Sequence, residues 1–348
     1  MSESAKPSVA VPAICALILA GAALHLARTV FAPAAFALFV IAVVWPLQSR
    51  LERVVPKALA LSASVLATLI VVTAFGSLTA WAFGRTVRYV VNDAPHLQAV
   101  YLQLSDWLET HGVVLAGLFA EHFDVRWLIR LLPEVASRIS NMTAFLFVIL
   151  IYVILGLSEV DEVARKLHTL DDHGIGRALL AGGAETAAKL RRFVVVRTLM
   201  SLTTGLLVCA FAAAMALPLA LEWGVIAFTL NYIPVIGSAA ATVLPTVFAL
   251  AQFVSWEIAL VVLVGLNLIQ FFIGNFVEPK VAGSSLSISP VIVVFAVFLW
   301  TFLWGIAGAF IGVPITIAGL TICEQFPSSR WIAELLGSPK GTASRASP

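Results

Sequence analysis

WGVIAFTLNYIPVIGSAAATVLPTVFALAQFVSW, residues 223–256, runs from Trp223 to Trp256 without one charged side chain. As a straight helix it would reach about 50 Å, against a bilayer hydrocarbon core about 30 Å thick. Such a run must tilt strongly, break or double back, and the breakers are present in Pro234, Gly237 and Pro245. Proline removes a donor and clashes with the preceding turn, so carbonyls are freed at membrane depth. Freed carbonyls are tolerated there only inside protein or beside water.

A second window is longer still. Residues 281–323 carry no charge and hold Pro290, Gly305, Gly308, Gly312 and Pro314 as hinges or helix breaks. Further charge-free windows cover 7–24, 29–49, 58–84, 139–158, 198–221 and 258–277. Most can cross a core that needs about 20 apolar residues. The chain is 61% hydrophobic and only 11% charged, with a mean hydropathy of +1.01. A soluble domain carries about a quarter charged residues, so a water-soluble fold is excluded. The runs lack the two-residue alternation of a lipid-facing barrel strand. The expected fold is therefore all-α, a polytopic transmembrane bundle of about eight spans whose C-terminal half holds Pro- and Gly-broken or re-entrant helices.

Charge orders these spans. Arg50, Arg53 and Lys57 follow the second window, and Lys189, Arg191, Arg192 and Arg197 precede the fifth. Both clusters lie an even number of crossings from the start, so the positive-inside rule puts them and the N-terminus in the cytoplasm. The first window is read as a retained helix, not a signal peptide, because Lys6 is the only positive charge before it and another span follows at once. Residues 85–140 then lie outside with balanced charge. Leu97, Tyr101, Leu104 and Leu108, and again Leu128, Leu132, Val135 and Ile139, recur at helical spacing, as amphipathic helices on the membrane surface or against partner subunits would. The resulting organisation is N-terminal transmembrane helices (1–84), an extracytoplasmic amphipathic segment (85–140), a transmembrane helix with a cytoplasmic helical connection (141–197), a permease core (198–326) and a tail (327–348) carrying Arg330, Lys340 and Arg345 into the cytoplasm.

Between the two long windows, Asn267, Gln270, Gly274 and Glu278 succeed one another at helical spacing and share a face. A polar stripe in lipid faces a bundle interior or an aqueous cavity, or serves as hydrogen-bond glue between helices. Glu278 stands beside Pro279 and Lys280, where the residue before proline is expected to leave the helical region. Its carboxylate either carries a proton or cation or pairs with Lys280 at the water interface. A faint echo relates Trp223-Gly224-Val225-Ile226-Ala227 leading to Pro234 with Trp304-Gly305-Ile306-Ala307 leading to Pro314. Paired interrupted segments of this kind point to a transporter's binding region.

At these residues the sequence resembles the autoinducer-2 exporter family, the PerM-type permeases. Asn231-Tyr232-Ile233-Pro234 with Gly237 is similar to that family's Asn-Tyr-Ile-Pro-x-x-Gly element. Asn275-Phe276-Val277-Glu278-Pro279-Lys280, followed by Gly283, Leu286 and Pro290, is similar to its Glu-Pro-Lys segment, and Gly305, Gly308 and Pro314 to its closing pattern. The resemblance is sharp over residues 190–325 and loose before them. It implies a cell-membrane permease of about eight helices that forms homo-oligomers, some members exporting autoinducer-2 and others exchanging sodium for protons.

No Gly-x-x-x-x-Gly-Lys-Ser/Thr loop is present, so drive by ATP from this chain is not expected. The expected function is secondary transport of a small polar solute, such as an autoinducer-2-like signal, coupled to an ion gradient of sodium or protons. Its pathway would comprise Asn231, Pro234, Gly237, Asn267, Gln270, Asn275, Glu278 and Lys280. Sodium/proton antiport and a non-transporting membrane scaffold are the alternatives. An intramembrane enzyme would need a set such as His-Glu-x-x-His or Gly-x-Ser-x-Gly, and neither occurs. His25, His96, His111, His122, His168 and His173 stand at no ligand spacing, and the Asp171-Asp172-His173 run is read as a solvated turn. Cys15, Cys209 and Cys323 fall in separate apolar windows as small packing residues. No metal or cofactor is expected, nor nucleic acid as a partner, since the net charge is only +2.

Overall fold

The computed structural model describes residues 10–93, 126–169, 175–282 and 288–337. In chain order the helices are α1 (Ala10–Leu26), α2 (Arg28–Leu51), α3 (Lys57–Asn92), α4 (Arg126–Thr169), α5 (Ile175–Ala214), α6 (Ala220–Leu230), α7 (Ile236–Phe253), α8 (Trp256–Phe272), α9 (Glu278–Ala282), α10 (Pro290–Gln325) and α11 (Arg330–Leu336). A π-helical turn, Ile273–Val277, joins α8 to α9. Seven of the described helical stretches are long and apolar enough to cross a membrane. Large apolar side chains such as Leu260, Val264 and Leu268 face outward, while Ser201, Thr204, Asn231 and Arg197 are buried. The chain is thus a polytopic helical membrane protein, apolar where lipid would touch it, with a few polar side chains buried among the apolar contacts between helices.

Two sequence expectations meet different geometry here. The first two windows are joined through Ala27 alone, with helical hydrogen bonds running on from Ala27 to Ala23 and from Phe31 to Ala27. Of the 85–140 segment, residues 85–92 complete α3 and 126–140 begin α4, while 94–125, like Asp171, Asp172 and His173, lie outside the described residues.

The described residues divide into two compact units, one holding 10–42, 145–169, 175–186 and 288–337, the other 43–93, 126–144 and 187–282. In the second unit the window from Trp223 is a helical hairpin. Its first arm, α6, has 11 residues and reaches about 16 Å, roughly half the hydrocarbon core. The chain turns at 231–235 and returns as α7, which brings Trp223 against Phe248 with ring centroids 5.2 Å apart. α6 runs antiparallel to α3, as Arg85 Nη1 stands 2.9 Å from Glu222 Oε1 and Thr79 Oγ1 stands 3.1 Å from Thr229 Oγ1. It also meets α5 at glycines, because a Cβ on Gly205 would stand 2.8 Å from the Gly224 carbonyl oxygen. Cys209 packs against Gly224 at the same contact, as expected of a small packing residue. Backbone contact of this kind replaces the hydrophobic drive that is missing between helices in lipid.

In the first unit the second long window also doubles back. Gly305 has φ 64° and ψ −143°, a conformation that belongs to glycine. A Cβ on Gly308 would overlap the Trp300 carbonyl oxygen, and one on Gly312 would lie 3.1 Å from the carbonyl oxygen of Ala296. Residues that a straight helix would hold far apart therefore touch across the turn. The tip is pinned to α1, where His25 Nδ1 donates to the Leu303 carbonyl (3.1 Å) and Trp304 Nε1 to that of Leu24 (3.1 Å). A carbonyl only accepts, so Nδ1 carries the ring proton of His25. Pro290 opens α10 at its first turn, where a missing N–H costs nothing, so it starts a helix and does not break one. Pro245 and Pro314 are buried inside α7 and the returning arm of α10.

The expected echo between Trp223-Gly224 and Trp304-Gly305 has no common geometry, since Gly224 is a helix contact and Gly305 is a turn. The structural correspondence is between Gly237 and Gly308. A Cβ on Gly237 would overlap the Leu230 carbonyl oxygen as one on Gly308 would that of Trp300. Alanine at either glycine should therefore cost about 2–3 kcal/mol by forcing a hairpin open. Gly274, with no atom within 4 Å of its would-be Cβ, is the control and should tolerate alanine. Thermal unfolding of the purified protein in detergent checks this, and equal melting temperatures for all three variants would refute it.

Candidate functional site

The tip of the first hairpin carries its polar groups inward. Asn231 ends α6 with a helical backbone, its N–H still bonded to the Ala227 carbonyl. Tyr232 and Ile233 donate to Thr229 and Leu230, and Gly237 donates to Ile233, so the turn satisfies much of its own backbone. Val235 sits at φ 65°, ψ −62°, with the Ile236 N–H bonded 2.7 Å to the Pro234 carbonyl. This is a γ-turn at positive φ, a strained geometry for a β-branched residue. Strain of this kind persists only where surrounding structure enforces it, and it clusters at ligand clamps and switches.

That enforcement comes from α5 and α3. Asn231 Nδ2 donates to Ser201 Oγ and Thr204 Oγ1, both at 3.4 Å, and all three residues are buried. Tyr232 Oη donates to Thr198 Oγ1 at 2.9 Å. Phe75 of α3 packs against both Phe228 and Tyr232, with ring centroids 5.9 and 5.4 Å away. Thr198, Ser201 and Thr204 therefore form a polar shelf on one stretch of α5 beneath the hairpin tip.

On the same stretch, Arg197 Nη1 donates to Glu278 Oε1 at 3.4 Å. The arginine side chain is 10% exposed and the carboxylate 39%. Arg197 Nε is buried without a hydrogen-bond partner. Apolar packing of Val196 and Met200 against Ile273 holds α5 to the π turn that leads to Glu278.

The expected departure of Glu278 from the helix does not occur, since its backbone stays helical at φ −56°, ψ −48°. The π turn is the reason. Its wider winding, with the Glu278 N–H bonded to the Ile273 carbonyl, takes up the proline clash before Pro279 is reached. The extra residue in that turn also rotates the helix beyond it, so the stripe from Asn267 to Glu278 is not one face. Asn267 is exposed and donates to the Leu263 carbonyl of its own helix, and Asn275 does the same to Phe271. Gln270 is half-buried, its Nε2 buried without a partner. Lys280 is exposed, and Glu278 reaches Arg197 instead of Lys280. Gly283 and Leu286 lie outside the described residues. The residues that join Asn231 and Glu278, which are Arg197, Thr198, Ser201 and Thr204, carry a legible signal at helical spacing, although Arg197 also reads as one more cytoplasmic charge.

A second ion pair closes the other end of this unit. Glu222, 4% exposed, pairs with Arg85, which is 51% exposed and lies 5.6 Å over the Trp81 ring. It braces α6 against α3 at the foot of the hairpin.

The family model for AI-2E family transporters matches residues 13–328. The AI-2 transport protein TqsA of Escherichia coli (strain K12) is 30% identical over 327 residues, covering 92% of each chain. The putative transport protein YhhT of the same organism is 26% identical and covers 93% of each. A putative transport protein of Haemophilus influenzae (strain ATCC 51907 / DSM 11121 / KW20 / Rd) is 25% identical over 344 residues, covering 93% of this chain and 94% of its own.

The unequal exposure of the ion pair gives an asymmetric prediction. Removing the carboxylate strands a buried guanidinium, whereas removing the guanidinium leaves a carboxylate that water already reaches. Glu278→Leu should therefore cost about 3 kcal/mol, and Arg197→Met only about 1 kcal/mol. Equilibrium unfolding of both variants in detergent checks the order, and the reverse order would show that the carboxylate is the desolvated partner.

Proposed function

The chain belongs to the AI-2E family of transporters, and from that premise we propose that it is a secondary transporter whose solute passes the tip of the first hairpin. The solute in this reading is small and polar. The observation that carries the reading is the polar shelf of Thr198, Ser201 and Thr204, met by Asn231 and Tyr232 where a half-depth hairpin ends. Polar side chains within a lipid-facing bundle are costly and mark solute or ion routes. Interrupted helices with freed backbone groups are where transporters bind. Two buried donors without acceptors, Arg197 Nε and Gln270 Nε2, suit an oxygen-rich solute.

Pro234 and Gly237 make the turn, and Asn231 fixes it to α5. Pro245, in the returning arm, loosens α7 above it. The second hairpin, with Gly305, Gly308, Gly312 and Pro314, is the other broken element of the permease core. Glu278 is the coupling carboxylate, carrying a proton or meeting a sodium ion as its contact with Arg197 is made and broken. The remaining pathway residues are Asn267, Asn275 and Lys280, whose outward amides and ammonium suit the pathway's rim or a neighbouring copy in a homo-oligomer. Arg50, Arg53, Lys189, Arg191 and Arg192 orient the protein with this end toward the cytoplasm of a cell membrane and with the C-terminus inside.

The reading is tested by flux in proteoliposomes of purified protein under an imposed pH or sodium gradient. Gradient-driven movement should fall at least about tenfold in Glu278→Gln and Asn231→Ala, a loss of the size expected when a positioned group is removed. Unchanged flux in both folded variants would end this assignment. Ion exchange with no solute moved would favour sodium/proton antiport.

A further inference from the structure

The side chain of Arg197 is nine-tenths buried, yet it spends only Nη1 on its partner, at the long distance of 3.4 Å. Its Nε–H is buried without an acceptor. Arginine presents its donors as a planar fork suited to two oxygens of a carboxylate-like group, and single-point contact leaves that fork half used. Glu278, by contrast, is more than a third exposed and stands just past a π turn, a winding that is rare in helices and frequent at functional sites. The pair therefore joins a fixed, desolvated receptor to a carboxylate that is free to leave.

We infer that Arg197 is an oxyanion receptor that Glu278 occupies in the resting state, and that the carried solute bears a planar oxyanion group which takes the fork when Glu278 accepts a proton. Charge balance dictates the proton. One buried arginine compensates one anion, so an ionised Glu278 and the solute's oxyanion compete for the same guanidinium, and a proton on Glu278 removes the competitor. Solute and proton therefore load together as a neutral unit: the proton bonds to a Glu278 carboxylate oxygen, the Arg197–Glu278 ion pair opens, and the Arg197–oxyanion pair forms. Among the described residues, the charged group recorded against Glu278 is Arg197 of α5; Tyr232 of the hairpin tip bonds to the neighbouring Thr198, and Lys280, two residues on along its own helix, is exposed. Of these only Arg197 is both cationic and buried. Beside the fork, Ser201 stands one turn on along α5 and Asn231 bonds to it at 3.4 Å, so the solute's remaining polar atoms meet hydroxyl and amide.

This rests on the transport reading of the same site, but its test needs no transport. The probe is nitrate, a planar oxyanion that stays ionised at all working pH values, added to the full-length protein in nanodiscs at fixed ionic strength with chloride as the balancing anion. Binding is followed by the shift in melting temperature and by nitrate nitrogen relaxation in NMR. The wild type should bind nitrate more tightly at acidic than at neutral pH, because a protonated Glu278 no longer competes for the fork. Glu278→Gln should bind about tenfold more tightly than the wild type at neutral pH, because its internal competitor is gone, and should lose the pH dependence. Arg197→Gln should not bind at any pH, and Arg197→Lys should bind weakly, since it keeps the charge without the fork.

Equal nitrate binding in wild type and Glu278→Gln, or binding that survives Arg197→Gln, would overturn the inference. Absence of nitrate binding in a folded Glu278→Gln would overturn it too, and would leave a neutral hydroxyl-bearing solute as the acceptor for Nε. Glu278-dependent flux without this binding pattern would preserve the transport function and remove the oxyanion. The binding pattern without flux would do the reverse.

Discussion

A backbone group in hydrocarbon has no water to turn to, and among the described residues this chain doubles back inside both of its long uncharged windows. Each break must find its partners within the protein. The first tip does so by its own tight turn and by side chains one helix away, with Asn231 and Tyr232 on the hydroxyls of α5. The second does so by exchange with α1, through His25 and Trp304. Glycine makes both possible, because Gly237 and Gly308 let a returning arm approach the opposite carbonyl more closely than any side chain allows. Once the groups of the first tip are committed, the position of the polar shelf beneath it is set.

The same demand explains why the site is polar on the inside yet held by few strong interactions. The bonds from Asn231 are long, and the Arg197–Glu278 contact is long and single-pointed. A fully satisfied network at this depth would hold the tip rigidly, since low dielectric strengthens each bond. Donors left without acceptors, together with a β-branched residue at positive φ in Val235, describe a tip kept short of its most stable arrangement. The Glu222–Arg85 pair, at 2.9 Å, ties the other end of the hairpin's first arm more closely. One end of the hairpin is thus anchored and the other is poised.

Much of this is legible in sequence because the constraint acts locally. An uncharged run too long for one crossing, with Pro234 and Gly237 inside it, has to break near them, and Gly305 and Gly308 give the same message. What sequence hides is of two kinds. Arg197 and Glu278 stand 81 positions apart, and nothing in either segment names the other. The polar stripe fails for a different reason, since regular helical spacing does not hold through residues that wind as a π turn. One extra residue in that turn carries Glu278 round to α5 and leaves Asn267 outside. The echo between the two broken windows is misaligned for a related reason, because matching letters mark a helix contact in one and a turn in the other.

The doubling back at 231–235 also settles which groups can share an end of this unit. Had residues 223–256 crossed as one kinked helix, α8 would have run in the same sense as α5, and Glu278 would have emerged opposite Arg197. A hairpin that returns to its starting end reverses α8, so it descends antiparallel to α5. The contacts fit that direction: Gly265 meets Phe211 near one end of the pair, Ile273 meets Val196 and Met200 further along, and Glu278 meets Arg197 last. The ion pair is therefore a consequence of Pro234 and Gly237 as much as of its own two residues. A chain that straightened there would lose the shelf and the pair together, which is why the tip and the carboxylate lie at one end of this unit although more than forty positions separate them.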